Sequence, residues 1–150
     1  AITKPEWTEQ YLYAARVDYD LRPGGVYQAF PSDTMLKQGA ELGYEIPAIV
    51  ADGEVIEVDP PRRLVQTWRM LMDPDMAAEG FTRLTFEIEP GQGPGQEGVC
   101  KLTVIHDLQG APRVAALVAG ELESEGAGGG WAATLSSLKT LLETGTPLVS

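Results

Sequence analysis

The sequence predicts an α+β fold: a curved antiparallel β-sheet wrapped around one long C-terminal α-helix. Three observations predict it. First, residues 128–145 read as one helix with both ends marked, glycines at 128–130 before it and Gly145 where a left-handed cap belongs. Second, Trp131, Leu135, Leu138 and Leu142 recur at helical spacing and share a face, which Leu141 widens. A helix with one apolar face must bury it against something. Third, the chain upstream is a series of short alternating segments separated by turn residues, the pattern of antiparallel strands. A sheet is therefore the partner the helix face requires.

Composition sets the outer limits. At 150 residues the chain suits one domain spanning residues 1–150, large enough to bury a core. It is 43% hydrophobic and 22% charged, the balance of an ordinary globular protein. The formal charge of -11 repels phosphate, so neither nucleic acid nor an anionic membrane surface is expected as a partner. No apolar run approaches the roughly 18 residues of a membrane span. The single cysteine, Cys100, excludes an internal disulfide and fits a reducing cytoplasm.

The elements follow in order. The chain opens at Ala1 without a methionine, as one entered part-way would, and Pro5 suits the first turn of a short helix carrying Trp7 and Tyr11 on one side. Ala15 to Leu21 alternates as a strand, residues 22–25 turn, and Val26 to Phe30 returns, giving a hairpin. Residues 31–47 show little periodicity and read as a loop or insertion. A strand runs from about Ile49 to Val58, with a bulge where Glu54 to Val58 fails to alternate cleanly. Asp59-Pro60-Pro61-Arg62 is a turn, and Arg63 to Met70 is the next strand. Residues 72–80 read as a loop. Thr82 to Ile88 alternates clearly, the glycine-rich stretch 90–98 is a hairpin loop, and Val99 to Leu108 is the last strand. Pro112 begins a short helix to about Leu122.

On the last strand Cys100, Leu102, Val104 and His106 share a face, read as the inner one. Leu64, Gln66 and Trp68 share a face two strands away, with Leu84, Phe86 and Ile88 between them. Trp7, Tyr11, Trp131 and Leu135 close the space from the helices. Together they form an apolar enclosure, which is either plain core or a ligand pocket whose few polar groups orient the guest. Gln66, His106, Tyr19 and Tyr27 are the polar candidates.

His106 is the sole histidine. Its ordinary reading is a core or rim histidine satisfied by hydrogen bonds; its chemical reading is a general base or a donor to a ligand. No nucleophile stands with it in a known motif, and Gly-x-Ser-x-Gly is absent. Cys100 reads as a small buried hydrophobe and makes no zinc site with one histidine. Asp73 and Asp75, and Glu121, Glu123 and Glu125, lack the glycine and terminal glutamate of a calcium loop. Residues 91–98 lack the Gly-Lys-Ser/Thr of a phosphate loop. No metal and no cofactor is expected.

Four segments carry a family resemblance: residues 21–25 (LRPGG), 53–68 (GEVIEVDPPRRLVQTW), 102–106 (LTVIH), and Gly130-Trp131 with 138–145 (LKTLLETG). In that order they resemble the activator of Hsp90 ATPase homologue 1-like family, within the START-like or Bet v 1-like (SRPBCC) superfamily. The resemblance implies a helix-grip fold with a cavity between sheet and helix. It also implies a first strand that this chain does not show, because Ala1 to Trp7 matches the part just after it. A sheet edge left without that strand is unpaired and sticky.

The expected function is non-catalytic binding of a small hydrophobic molecule by Trp7, Tyr11, Gln66, Trp68, Leu84, Phe86, Leu102, Val104, His106, Trp131 and Leu135. A solid core argues against it. The alternatives are a cyclase- or hydratase-like enzyme using His106, as some START-like relatives are, and a co-chaperone-like protein-interaction module. A homodimer, through a sheet edge or the helix, is compatible with each.

Overall fold

The computed structural model describes residues 1–13 and 15–148. Six strands form one antiparallel sheet in strict sequence order: β1 (Ala15–Tyr19), β2 (Val26–Pro31), β3 (Ala51–Asp59), β4 (Arg63–Met70), β5 (Thr82–Pro90) and β6 (Cys100–Asp107). The helices are α1 (Pro5–Tyr11), α2 (Asp33–Glu41), α3 (Pro74–Ala78), α4 (Pro112–Val118) and α5 (Gly130–Thr144). The α+β helix-grip expectation holds: the sheet curls and its inner face receives α5. The bulge also holds, since the β3–β4 register shifts between Val55 and Glu57.

Two segments read as loops are helical. Ser32 caps α2, its hydroxyl accepting from Met35 N at 3.2 Å. Asp73 caps α3, accepting from Asp75 N at 2.9 Å, with Pro74 in the first turn. Both helices are too short for apolar periodicity to emerge, so only their caps announce them.

The face that α5 buries is also rotated from expectation. Thr134, Ser137, Leu138 and Leu141 are buried, Trp131 and Leu135 half-buried, and Leu142 is 56% exposed. The buried stripe mixes two leucines with two small hydroxyl residues, so a search for apolar spacing alone displaces it toward Leu142. Leu138 and Leu141 pack with Tyr11 of α1, and Trp7, Leu12 and Leu102 border that cluster. Gly145, at φ 82°, ends the helix as its left-handed cap, with its N–H on Leu141 O.

The inner face carries two contiguous clusters. Val17, Tyr27, Ala29, Val50 and Ala51 occupy the β1–β3 end. Val55, Leu64, Leu84 and Phe86 occupy the β3–β5 end, flanked by Ile2, Leu102, Val104 and Trp131. Trp68 and Tyr19 border both. A fourth cluster, Met76, Ala111 and Val114, seats α3 and α4 at the rim. There Glu79 accepts from Arg113 N and Val114 N, each at 2.9 Å, and so supplies the N-terminal cap that α4 lacks in its own sequence. The Arg113 guanidinium in turn bonds Asp73 at 2.7 Å and holds its carboxyl below the usual range.

Candidate functional site

Two polar clusters interrupt the apolar space between sheet and helix. The first lies deep. Gln66 on β4 is 0% exposed, and the Tyr19 hydroxyl of β1 donates to its Oε1 at 2.6 Å. The Gln66 amide donates onward to Thr67 O at 3.3 Å. Tyr27 stacks at a tilt beside Tyr19, with ring centroids 4.7 Å apart. Burial pushes the Tyr27 hydroxyl up to about 12, and it raises Tyr19 and Tyr11 as well. All three therefore act as neutral hydrogen-bonding groups at physiological pH.

The second cluster lies nearer the rim and contains His106. Thr82 Oγ1 donates to Trp68 O at 3.0 Å, which uses its proton. It must then accept from His106 Nε2, 2.7 Å away. That leaves Nδ1 as an acceptor, and Trp131 Nε1–H donates to it at 3.2 Å. The ring is thus the neutral Nε2–H tautomer, assigned by its partners. The indoles of Trp68 and Trp131 meet the imidazole edge-on, at 5.6 and 6.1 Å between centroids. Burial lowers the His106 pKa to about 4, and the neighbouring Asp107 offsets only part of this. With both nitrogens engaged, His106 has none left for a substrate proton, which favours its reading as a satisfied rim histidine over a general base.

Local sequence sets up this contact. Gly130 adopts φ 70°, and a β-carbon there would overlap the Val118 carbonyl. Only glycine fits, and it brings the start of α5 tightly against the end of α4. Trp131 follows at once and is aimed at β6. Its ring also meets Phe86 edge-on at 6.0 Å.

The residues expected at the site fall into three groups. Tyr11, Gln66, Leu84 and Phe86 are buried core. Trp68, His106 and Trp131 form the rim cluster just described. Trp7, Leu102, Val104 and Leu135 are half-buried. Cys100 departs from its expected place: it is exposed at the start of β6. Sequence reasoning missed Thr82, whose part is visible only in the pairing of Leu84 with His106 and Trp68 with Thr82. It also missed Val65, which is fully buried on the outer face between Glu57 and Thr85.

Two shallow surface depressions, about 320 and 300 Å³, lie away from the space between sheet and helix. One is on the outer face at Ile56, Thr67, Phe81 and Arg83, and the other lies beside β1 at Arg16, Asp18 and Phe30. Among the described residues no group of three or more His, Cys, Asp or Glu side chains is placed to hold a metal, and no helix is long and apolar enough to cross a membrane.

Comparison with known proteins agrees with this architecture. No curated protein matches the chain at a significant level. A solution NMR structure of a Bordetella parapertussis protein superposes with a TM-score of 0.58 at 20% identity, over 97% of this chain and 67% of the other, and so shares the fold. The family model described as activator of Hsp90 ATPase homolog 1-like protein matches residues 1–143. A match of that extent, on a helix-grip fold built as described, places the chain in the activator of Hsp90 ATPase homolog 1-like family.

Proposed function

We propose that this chain binds a small hydrophobic molecule between the β6 side of the sheet and α5, in keeping with the ligand binding for which its family is known. One observation carries the proposal. Leu102, Val104, Trp131 and Leu135 face the inner side of β6 and the first turns of α5 yet remain only half-buried. This is apolar surface that the fold leaves incompletely covered. A ligand seated there displaces or extends the packing of Trp131 and gains about 25 cal/mol for each Å² of apolar surface it covers. The guest is held by apolar contact, since the polar groups of His106 and Gln66 are already engaged within the protein.

Native mass spectrometry of the purified protein, followed by denaturation, tests this. The expected result is an added mass that is released on unfolding. Displacement of a bound fluorescent hydrophobe by long-chain acids or aromatic compounds gives the second reading, and Trp131→Ala weakens it. A protein that carries no added mass and takes up none of these compounds would overturn the proposal.

A further inference from the structure

The outer face of the sheet carries the larger of the two depressions, about 320 Å³ and open to solvent, with Ile56, Thr67, Phe81, Arg83 and Asp107 in its lining. Arg83 stands at its centre by register. Thr67 of β4 lies opposite it on one side and Asp107 of β6 on the other. Phe81 precedes Arg83 by two residues and shares its face. The depression is built by side chains on the face of β3 to β6. No backbone group of a sheet edge takes part, so it does not depend on which strand ends the sheet.

Two features of this lining are not accounted for by packing. Arg16, Arg22, Arg63, Arg69 and Arg113 each pair with a carboxylate. The Arg83 guanidinium has no ion pair among the described residues, although the chain holds 22 acidic residues and Asp107 stands directly opposite. Phe81 is 53% exposed, yet its ring is held in place. The Arg69 guanidinium lies 4.4 Å from its centroid, and Arg69 is itself fixed by two bonds to Asp52, at 3.0 and 2.7 Å. The Asp107 carboxylate is turned by a bond from Gln109 N to its Oδ1 at 3.1 Å, which leaves Oδ2 open. An aromatic wall, an unpaired cation and an anion are thus presented side by side.

We propose that this depression binds a small zwitterion, an α-amino acid with an apolar side chain. Arg83 donates to its carboxylate through the two arms of the guanidinium, and Asp107 accepts from its ammonium. Phe81 and Ile56 cover its side chain. The charges select this class. A simple carboxylate meets Asp107 and the net charge of -11, and a simple amine meets Arg83. A ligand that carries both charges on adjoining atoms satisfies both groups at once. Arg83 and Asp107 give up little in turning to it, since an exposed cross-strand pair contributes little net stability. An open site of this size holds such a ligand weakly, with a Kd on the order of a millimolar.

Amide NMR of the whole chain, titrated with L-phenylalanine, tests the site. The probes 3-phenylpropanoate and 2-phenylethylamine lack the ammonium and the carboxylate in turn. Phenylalanine is expected to give saturable shifts at residues 67, 81–83 and 107–109, and each one-charge probe to bind about tenfold more weakly. Arg83→Gln weakens phenylalanine about tenfold. Asp107→Asn also weakens phenylalanine, but it binds 3-phenylpropanoate more tightly than the wild type does, because the opposing carboxylate is gone. Both side chains are exposed, so both variants keep the wild-type melting temperature. Shifts that fail to saturate or that centre on α5, a one-charge probe that binds as well as phenylalanine, or an Arg83→Gln protein that binds like the wild type would each overturn the proposal.

Discussion

The Gln66 cluster and the His106 cluster solve the same problem at different depths. Each places polar groups beside the apolar space under α5, and each gives every one of those groups a partner. The Gln66 cluster is sealed, joins β1 to β4, and contains only groups that stay neutral across the working pH range. The His106 cluster is half-buried, joins β6 to α5, and contains the one side chain whose charge changes within reach of mild acid. The comparison teaches that the two ends of the sheet are held by interactions of different sensitivity. The β1–β4 end is held against truncation of its members, and the β6–α5 end against protonation.

The largest effect is expected in the sealed cluster. Gln66→Leu keeps the volume but leaves the Tyr19 hydroxyl buried without its acceptor, at a cost of about 2–3 kcal/mol in chemical unfolding. Adding Tyr19→Phe removes the orphaned group and recovers most of the loss. If the double variant is no better than the single one, the hydrogen bond is not what holds the pair.

Acid separates the two clusters next. His106 has a folded pKa of about 4 against 6.5 for an unperturbed ring. The unfolded chain therefore binds more protons between those values, and stability falls as pH drops through that window while remaining complete above it. Allowing for solvent at the exposed part of the ring, the loss is about 2 kcal/mol. Burial of the ring is the main cause, and protonation would also turn Nδ1 into a donor that cannot accept from Trp131 Nε1. Melting temperatures between those pH values decline for the wild type and stay level in His106→Gln, apart from changes due to the carboxylates.

Trp131→Phe gives a smaller and more specific change. It keeps an aromatic ring but removes the indole donor, at about 1 kcal/mol. It also frees Nδ1 for a proton, so the His106 titration seen by NMR moves up toward 6.5. An unchanged midpoint would leave burial alone as the source of the shift. The smallest effect belongs to the far side of the same helix. Leu142→Ser changes stability by less than about 0.5 kcal/mol, whereas Leu141→Ala costs about 2–4 kcal/mol.

The same contrast explains what was legible in the sequence. The places of strands β4 to β6 were readable from their alternation, although Val65 and Thr85 are buried on the face the alternation leaves outside. The ends of α5 were readable because glycine marks them. The buried face of α5 was not, since Thr134 and Ser137 fill half of it and no hydropathy rule selects them. Helices α2 and α3 were hidden by their shortness, although Ser32 and Asp73-Pro74 were caps in plain view. Membership of the enclosure was visible for Gln66 and His106, but their partners were not. Tyr19 lies 47 residues from Gln66, and Trp131 lies 25 from His106. Nothing local in a sequence encodes a contact between elements that far apart. Cys100 misled because alternation assigns it to the inner face while, at the first position of β6, it is exposed.

The strict sequence order of the sheet bears on how the chain comes to fold. Each strand pairs with its immediate predecessor, so every ladder closes over a single connection, without the long loop closures that slow β-rich topologies. The sheet can therefore zip up strand by strand from the amino end as the chain leaves the ribosome. Its inner face stays open until α5 emerges, the last element among the described residues. A nascent chain stalled before Gly130 presents all six strands of the sheet with a wet concave face, the species a chaperone would meet.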